Sequence, residues 1–101
     1  MKKTLKFECD DRYEAEKLAS LMSVQKDNTV WVSGVEAVVG NEIVIQLKDR
    51  SSHAVLLKDE QSVARLKSFI TDLMNEKIKI HSSECVGSVT EIITTTTGLD
   101  D

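Results

Sequence analysis

An α+β fold is what this sequence predicts: a mostly antiparallel sheet of five to six strands with two helices on one face. Three observations predict it. Two segments carry apolar residues at helical spacing, each opened by an aspartate. Around them, apolar and polar residues alternate at the period of a half-buried strand. A Gly40-Asn41 pair lies between two such alternating runs, which is hairpin chemistry.

Leu5, Phe7 and Cys9 alternate with Thr4, Lys6 and Glu8, which predicts a strand over about 3–9. Asp10-Asp11 then supply a helix cap, and Glu14 stands at capping-box spacing from Asp11. Ala15, Leu18, Ala19 and Met22 recur at i, i+3, i+4 and i+7, giving an amphipathic helix over about 12–24. The polar run Gln25-Lys26-Asp27-Asn28 ends it.

Residues 29–48 read as β throughout. Thr29-Val30-Trp31-Val32 is β-branched and aromatic, and Gly34 marks a turn or bulge after it. Val35, Ala37 and Val39 alternate, as do Ile43, Ile45 and Leu47 beyond Gly40-Asn41, with a type II′ turn expected between the runs. Ala54–Leu57 is a short further strand. Asp59 caps a second helix over about 60–76, whose stripe is Val63, Leu66, Ile70 and Leu73. Lys77–His81 alternates as another strand, Ser82–Cys85 reads as a loop, and Val89–Thr97 is a last β run. The order is β-α-β-β-β-β-α-β with room for one more strand. A ferredoxin-like arrangement with an inserted hairpin is the simplest version. One domain covers 1–97, and 98–101 is expected as a frayed acidic tail.

The segments Asp11–Met22 and Asp59–Ile70 resemble one another: the aspartate, a basic residue, a leucine and a serine coincide. Two strand-helix-strand units around a central hairpin would account for this, and so would convergence on the same cap chemistry.

Composition narrows the function classes. Of 101 residues, 41% are hydrophobic and few of those are aromatic, so the core is aliphatic. Two cysteines do not make a disulfide framework, no apolar run follows the N-terminal lysines, and no stretch is long enough for a membrane span. A cytoplasmic, reducing setting follows by elimination. The net charge of −4 sits in residues 81–101, which carry four acids and no Lys or Arg. A chain with that balance lacks the positive field that drives phosphate binding, which argues against nucleic acid as a partner. It suits a basic protein partner instead.

No motif fixes a reaction. His81 and Cys85, with Glu84 between them, lack the further ligands of a structural zinc site. Asp10-Asp11 and Asp59-Glu60 are accounted for by helix capping. The glycines make no phosphate loop, and Ser51-Ser52 and Ser82-Ser83 lack a nucleophile elbow. No cofactor or metal is expected, and no enzymatic activity. Trp31 is the most informative residue. It opposes Val30 and Val32 across the strand, and Val38 and Val44 are likewise out of phase with their inward neighbours. Trp31, Val38 and Val44 would then share an open sheet face of the kind that binds proteins, unless the sheet is covered on both sides. The expectation is a small binding protein acting by protein–protein contact, such as an inhibitor, an immunity or antitoxin-like factor, or a phage accessory protein. The alternative is a self-associating, homodimeric structural domain or small-ligand sensor.

Overall fold

The computed structural model describes residues 2–25 and 31–96. Its elements are β1 (Lys2–Glu8), α1 (Arg12–Ser23), β2 (Val32–Ala37), β3 (Glu42–Leu47), β4 (Ser52–Leu56), α2 (Glu60–Met74), β5 (Ile78–Val86) and β6 (Val89–Thr96).

Asp11 and Asp59 start the two helices as the sequence predicts. Each lies in extended backbone, and its carboxylate accepts the amide three residues on, from Glu14 at 2.9 Å and from Ser62 at 2.8 Å. Glu14 does not serve as a capping-box acid. Its carboxylate accepts from the Leu56 amide at 3.0 Å and pairs with Lys17 at 3.0 Å, tying α1 to the end of β4.

The six strands form two three-stranded antiparallel sheets, ordered β1-β6-β5 and β2-β3-β4. This corrects the expected single sheet with both helices on one face. Helix α1 packs against β5 and β6, and α2 packs against β2 and β3. The ferredoxin-like order gives way to β-α-β-β-β-α-β-β. The reason is pairing at long range. β1 takes its neighbour from the far end of the chain, with Lys2 opposite Thr95 and Phe7 opposite Thr90, and no local pattern encodes that choice.

Three local expectations also change. The separate strands expected at 29–32 and 35–39 give one described strand, β2, with a register shift between Val32 and Gly34, while Thr29 and Val30 lie outside the described residues. The loop expected at Ser82–Cys85 is the second half of β5. A bulge after Ile80 changes the phase of the strand, and pairing resumes from Ser82 opposite Ile93. The Gly40-Asn41 turn exists, with Gly40 at φ 88°, but Val38 N donates to Glu42 O, so three residues rather than two lie inside the last bonded pair of the hairpin. The expected tail, 98–101, lies outside the described residues.

The chain repeats itself. β1-α1-β2-β3 and β4-α2-β5-β6 have the same order, and each sheet joins the hairpin of one half to the first strand of the other. The caps Asp11 and Asp59 are 48 residues apart. At that same spacing Ala15, Leu18, Leu21, Met22 and Gln25 match Val63, Leu66, Phe69, Ile70 and Leu73, all buried. The halves meet where Cys9 bridges Leu57, flanked by Asp10 N donating to Leu56 O at 2.9 Å and Lys58 N donating to Glu8 O at 3.0 Å. Those two bonds are the same bond made from either half. Gly40 and Gly87 both take positive φ in the two hairpin turns, where a side chain would be strained. One core spans both halves, with Phe7, Leu18, Met22, Ile43, Ile45, Val55, Leu66, Ile70, Ile80 and Ile92 all at 1% exposure or less. Each such side chain contributes about 1.5–3 kcal/mol by leaving water. Among the described residues, no helix is long and apolar enough to cross a membrane.

Candidate functional site

Helix α1 buries one stripe and leaves a second beside it. Tyr13, Glu16, Lys17, Ser20, Leu21 and Val24 follow one another at steps of three, one, three, one and three, so they form one continuous wall. Facing it are Leu47, Asp49, Ser51 and His53, which run at every second position through the β3–β4 turn into β4. Between the walls lies a cleft of about 610 Å³. Its apolar side chains are Leu21, Val24, Leu47 and the Tyr13 ring.

The β4 wall is held rigid by a hydrogen-bonded row. Ser51 donates to Asp49 Oδ1 from its amide at 2.9 Å and from its hydroxyl at 2.5 Å. These bonds, the hydroxyl first, hold the Asp49 carboxyl below its usual 3.8. Ionised, Asp49 can only accept, so the Ser51 proton points at it. The Ser51 oxygen lies 2.9 Å from His53 Nε2 and, with its own proton directed at Asp49, is placed to accept from that nitrogen. A serine nucleophile needs the opposite polarity, with the hydroxyl donating to the histidine. The row positions a wall and leaves Asp49 as an exposed anion at the mouth. On the other wall Lys17 is 3.0 Å from Glu14 Oε1 and 5.2 Å over the Tyr13 ring, while Glu16 is paired with Arg12 at 3.0 Å.

Trp31 stands at the end of this cleft. Its amide donates to Gln25 Oε1 at 2.6 Å, and its carbonyl accepts from Lys48 at 2.7 Å. The ring is 47% exposed. With Val24, Leu47 and Asp49 it borders a smaller hollow of about 340 Å³, and those three residues also line the main cleft. Val38 and Val44 are placed elsewhere. Val44 is half-buried on the outer face of β2-β3-β4, level with Glu36 and Ala54, and Val38 lies at the hairpin turn, where it lines a hollow with Val63, Ala64 and Lys67 of α2. Trp31 precedes β2 and Val38 follows it, so the two stand at opposite ends of the strand. The sequence did not single out Tyr13, Val24 or the Asp49-Ser51-His53 row. The signal for the row was the spacing Asp-x-Ser-x-His, which puts three hydrogen-bonding side chains on one side of a strand.

His81 and Cys85 do not converge. His81 lies at the bulge and bonds Thr95 on the outer sheet face at 3.0 Å, whereas Cys85 packs against the core. Among the described residues, no group of three His, Cys, Asp or Glu side chains is placed to hold a metal ion. Burial pushes the Cys9 thiol up to about 11, so it is protonated at neutral pH. Neither a protein-family model, nor a curated protein, nor a solved structure matches this chain.

Proposed function

We propose that this chain is a non-enzymatic binding protein that docks another protein over the cleft between α1 and the β3–β4 turn. One observation carries the proposal: Tyr13 and Val24, at 68% and 50% exposure, line the cleft, and Trp31, at 47%, borders the adjoining hollow that shares Val24, Leu47 and Asp49 with it. Exposed aromatics beside an apolar recess are the usual anchors of protein interfaces. The polar rim of Glu16, Lys17, Asp49 and Ser51 matches the expected anatomy of such an interface. An inhibitor or immunity-type role fits a small rigid domain of this kind, and cytoplasmic work fits its free thiols, Cys9 and Cys85.

The test is affinity capture with the wild type and with a Tyr13→Ala/Trp31→Ala variant whose near-ultraviolet circular dichroism and melting temperature are checked first. The expected result is loss of captured partner by at least about tenfold, since each central aromatic contributes on the order of 2 kcal/mol at a hot spot. Val38→Asp, at the β2–β3 turn beside α2 and outside the cleft, should leave capture unchanged. Equal capture by all three proteins would reject the proposal.

A second reading, a sensor of a small molecule, is favoured by the size of the cleft, which lies within the usual range of ligand pockets. The homodimer reading would use an open sheet face rather than the Thr-rich last strand, since β6 is the middle strand of its sheet with both edges paired.

A further inference from the structure

The internal repeat shows what stands at the matching positions of the other half. In the second half, the place of the cleft is the junction of α2 and β1. Phe69 stands at the position of Leu21, and Phe7 at the position of Val55. The two buried rings join α2 to β1, with centroids 5.5 Å apart and planes at 50°. Arg65, the counterpart of Lys17, lies 5.2 Å over the Phe7 ring and donates to Lys6 O at 3.3 Å. In the first half both aromatic rings are replaced by aliphatic side chains: Leu21 lines a cleft of about 610 Å³, and Val55 is fully buried. The cation is retained as Lys17, which lines it.

We infer that the cleft receives an aromatic side chain of the partner protein, carried next to a basic residue. The aromatic supplies from outside what Phe69 and Phe7 supply from within, against Leu21 and Leu47 and beside the Lys17 ammonium. The basic neighbour is called for by charge. Lys17 is tied to Glu14 and Glu16 to Arg12. Asp49, held ionised by Ser51, forms no ion pair among the described residues and stands at the mouth of the cleft. This inference rests on the protein-binding function proposed above and names the feature of the partner that the cleft selects.

The test is nuclear magnetic resonance of the full chain, titrated with three probes: N-acetyl-phenylalaninamide, a blocked tetrapeptide with Arg-Phe at its centre, and the same peptide with Arg-Leu. The expected result is that both phenylalanine probes shift the amides of Leu21, Leu47, Ser51 and His53. The Arg-Phe peptide should bind about threefold tighter than the blocked amino acid, the size of an exposed ion pair, and lose that margin in Asp49→Asn or in high salt. Leu21→Phe carries the side chain of the other half and should fill the cleft and abolish the shifts. Should that variant misfold, Val24→Asp alters only an exposed cleft residue and should weaken both phenylalanine probes. Absence of shifts at the cleft, or equal binding of the Arg-Leu and Arg-Phe peptides, would overturn the inference. So would equal binding of the peptide and the free blocked amino acid, which would mark a site for small aromatic molecules. The alanine variants of Tyr13 and Trp31 report separately on docking. If they lose the partner while no probe enters the cleft, the function stands and the aromatic occupant falls.

Discussion

Gln25 shows how one side chain can hold a junction. It is 1% exposed, one of very few buried polar residues, and each of its polar atoms is satisfied. Its Nε2 donates to Leu21 O at 3.1 Å, and its Oε1 accepts the amides of Trp31 at 2.6 Å and Val32 at 3.2 Å. It therefore closes the end of α1 and fixes where β2 begins, which also sets Trp31 at the rim of the cleft. The matching position in the other half is Leu73, so a leucine fits the repeat sterically. Gln25→Leu would keep the volume and strand two amides without an acceptor. It is expected to cost about 2–3 kcal/mol, measured by urea unfolding, and to change the emission of the lone tryptophan. A loss below about 0.5 kcal/mol would mean that water satisfies those amides and that Gln25 is not the clamp.

At the scale of the element, helix α2 depends on Asp59. The amide and hydroxyl of Ser62 hold its carboxyl below the usual 3.8. A carboxyl depressed in the folded state contributes stability that is complete above its unfolded value and is lost as the pH falls through its folded value. Wild-type stability should therefore decline as the pH drops below about 4, partly through this cap. Asp59→Asn keeps an oxygen acceptor that does not titrate, so its stability should fall less steeply over the same range in pH-dependent unfolding. Parallel slopes for the two proteins would show that the cap is not a source of acid lability. The cap was legible beforehand because its geometry is local: an aspartate, then three residues, then an amphipathic stripe. The role of Glu14 is not legible in the same way, because the Leu56 amide that it accepts comes from a strand 42 residues away.

For the molecule as a whole, the repeat makes the chain nearly circular. The β3–β4 turn joins Gln46 to Ser52, and the corresponding place in the other sheet is where Ile93 lies opposite Thr4 and Thr95 opposite Lys2. A short linker from the end of β6 to the start of β1 would copy that turn. A permuted chain opened between Asp49 and Arg50 should therefore fold with the same circular dichroism spectrum. Its melting temperature should lie within about 10 °C of wild type, the shift expected for a change of about 1–2 kcal/mol in a domain of this length. Failure of the permutant to fold would mean that the β3–β4 turn is needed to start folding and that the halves are not interchangeable in order.

What the sequence determined by itself is the set of elements: two capped helices, the strands from Leu5 to Cys9 and from Ile43 to Leu47, the Gly40 turn, and an aliphatic core. Those features depend on periodicity and on contacts within a few residues. The correspondence of Asp11–Met22 with Asp59–Ile70 was also visible, though its meaning was not. Tertiary structure decided the rest. It split the strands into two sheets, because β1 and β4 each pair with the other half's hairpin, and alternation records only that a strand has a buried face, not which strand lies beside it. It parted Trp31 from Val38 and Val44, because a bulge and the end of β2 intervene. It also made the cleft, which is lined by Leu21 where the other half carries Phe69, and that comparison has meaning only once the two halves are folded against each other.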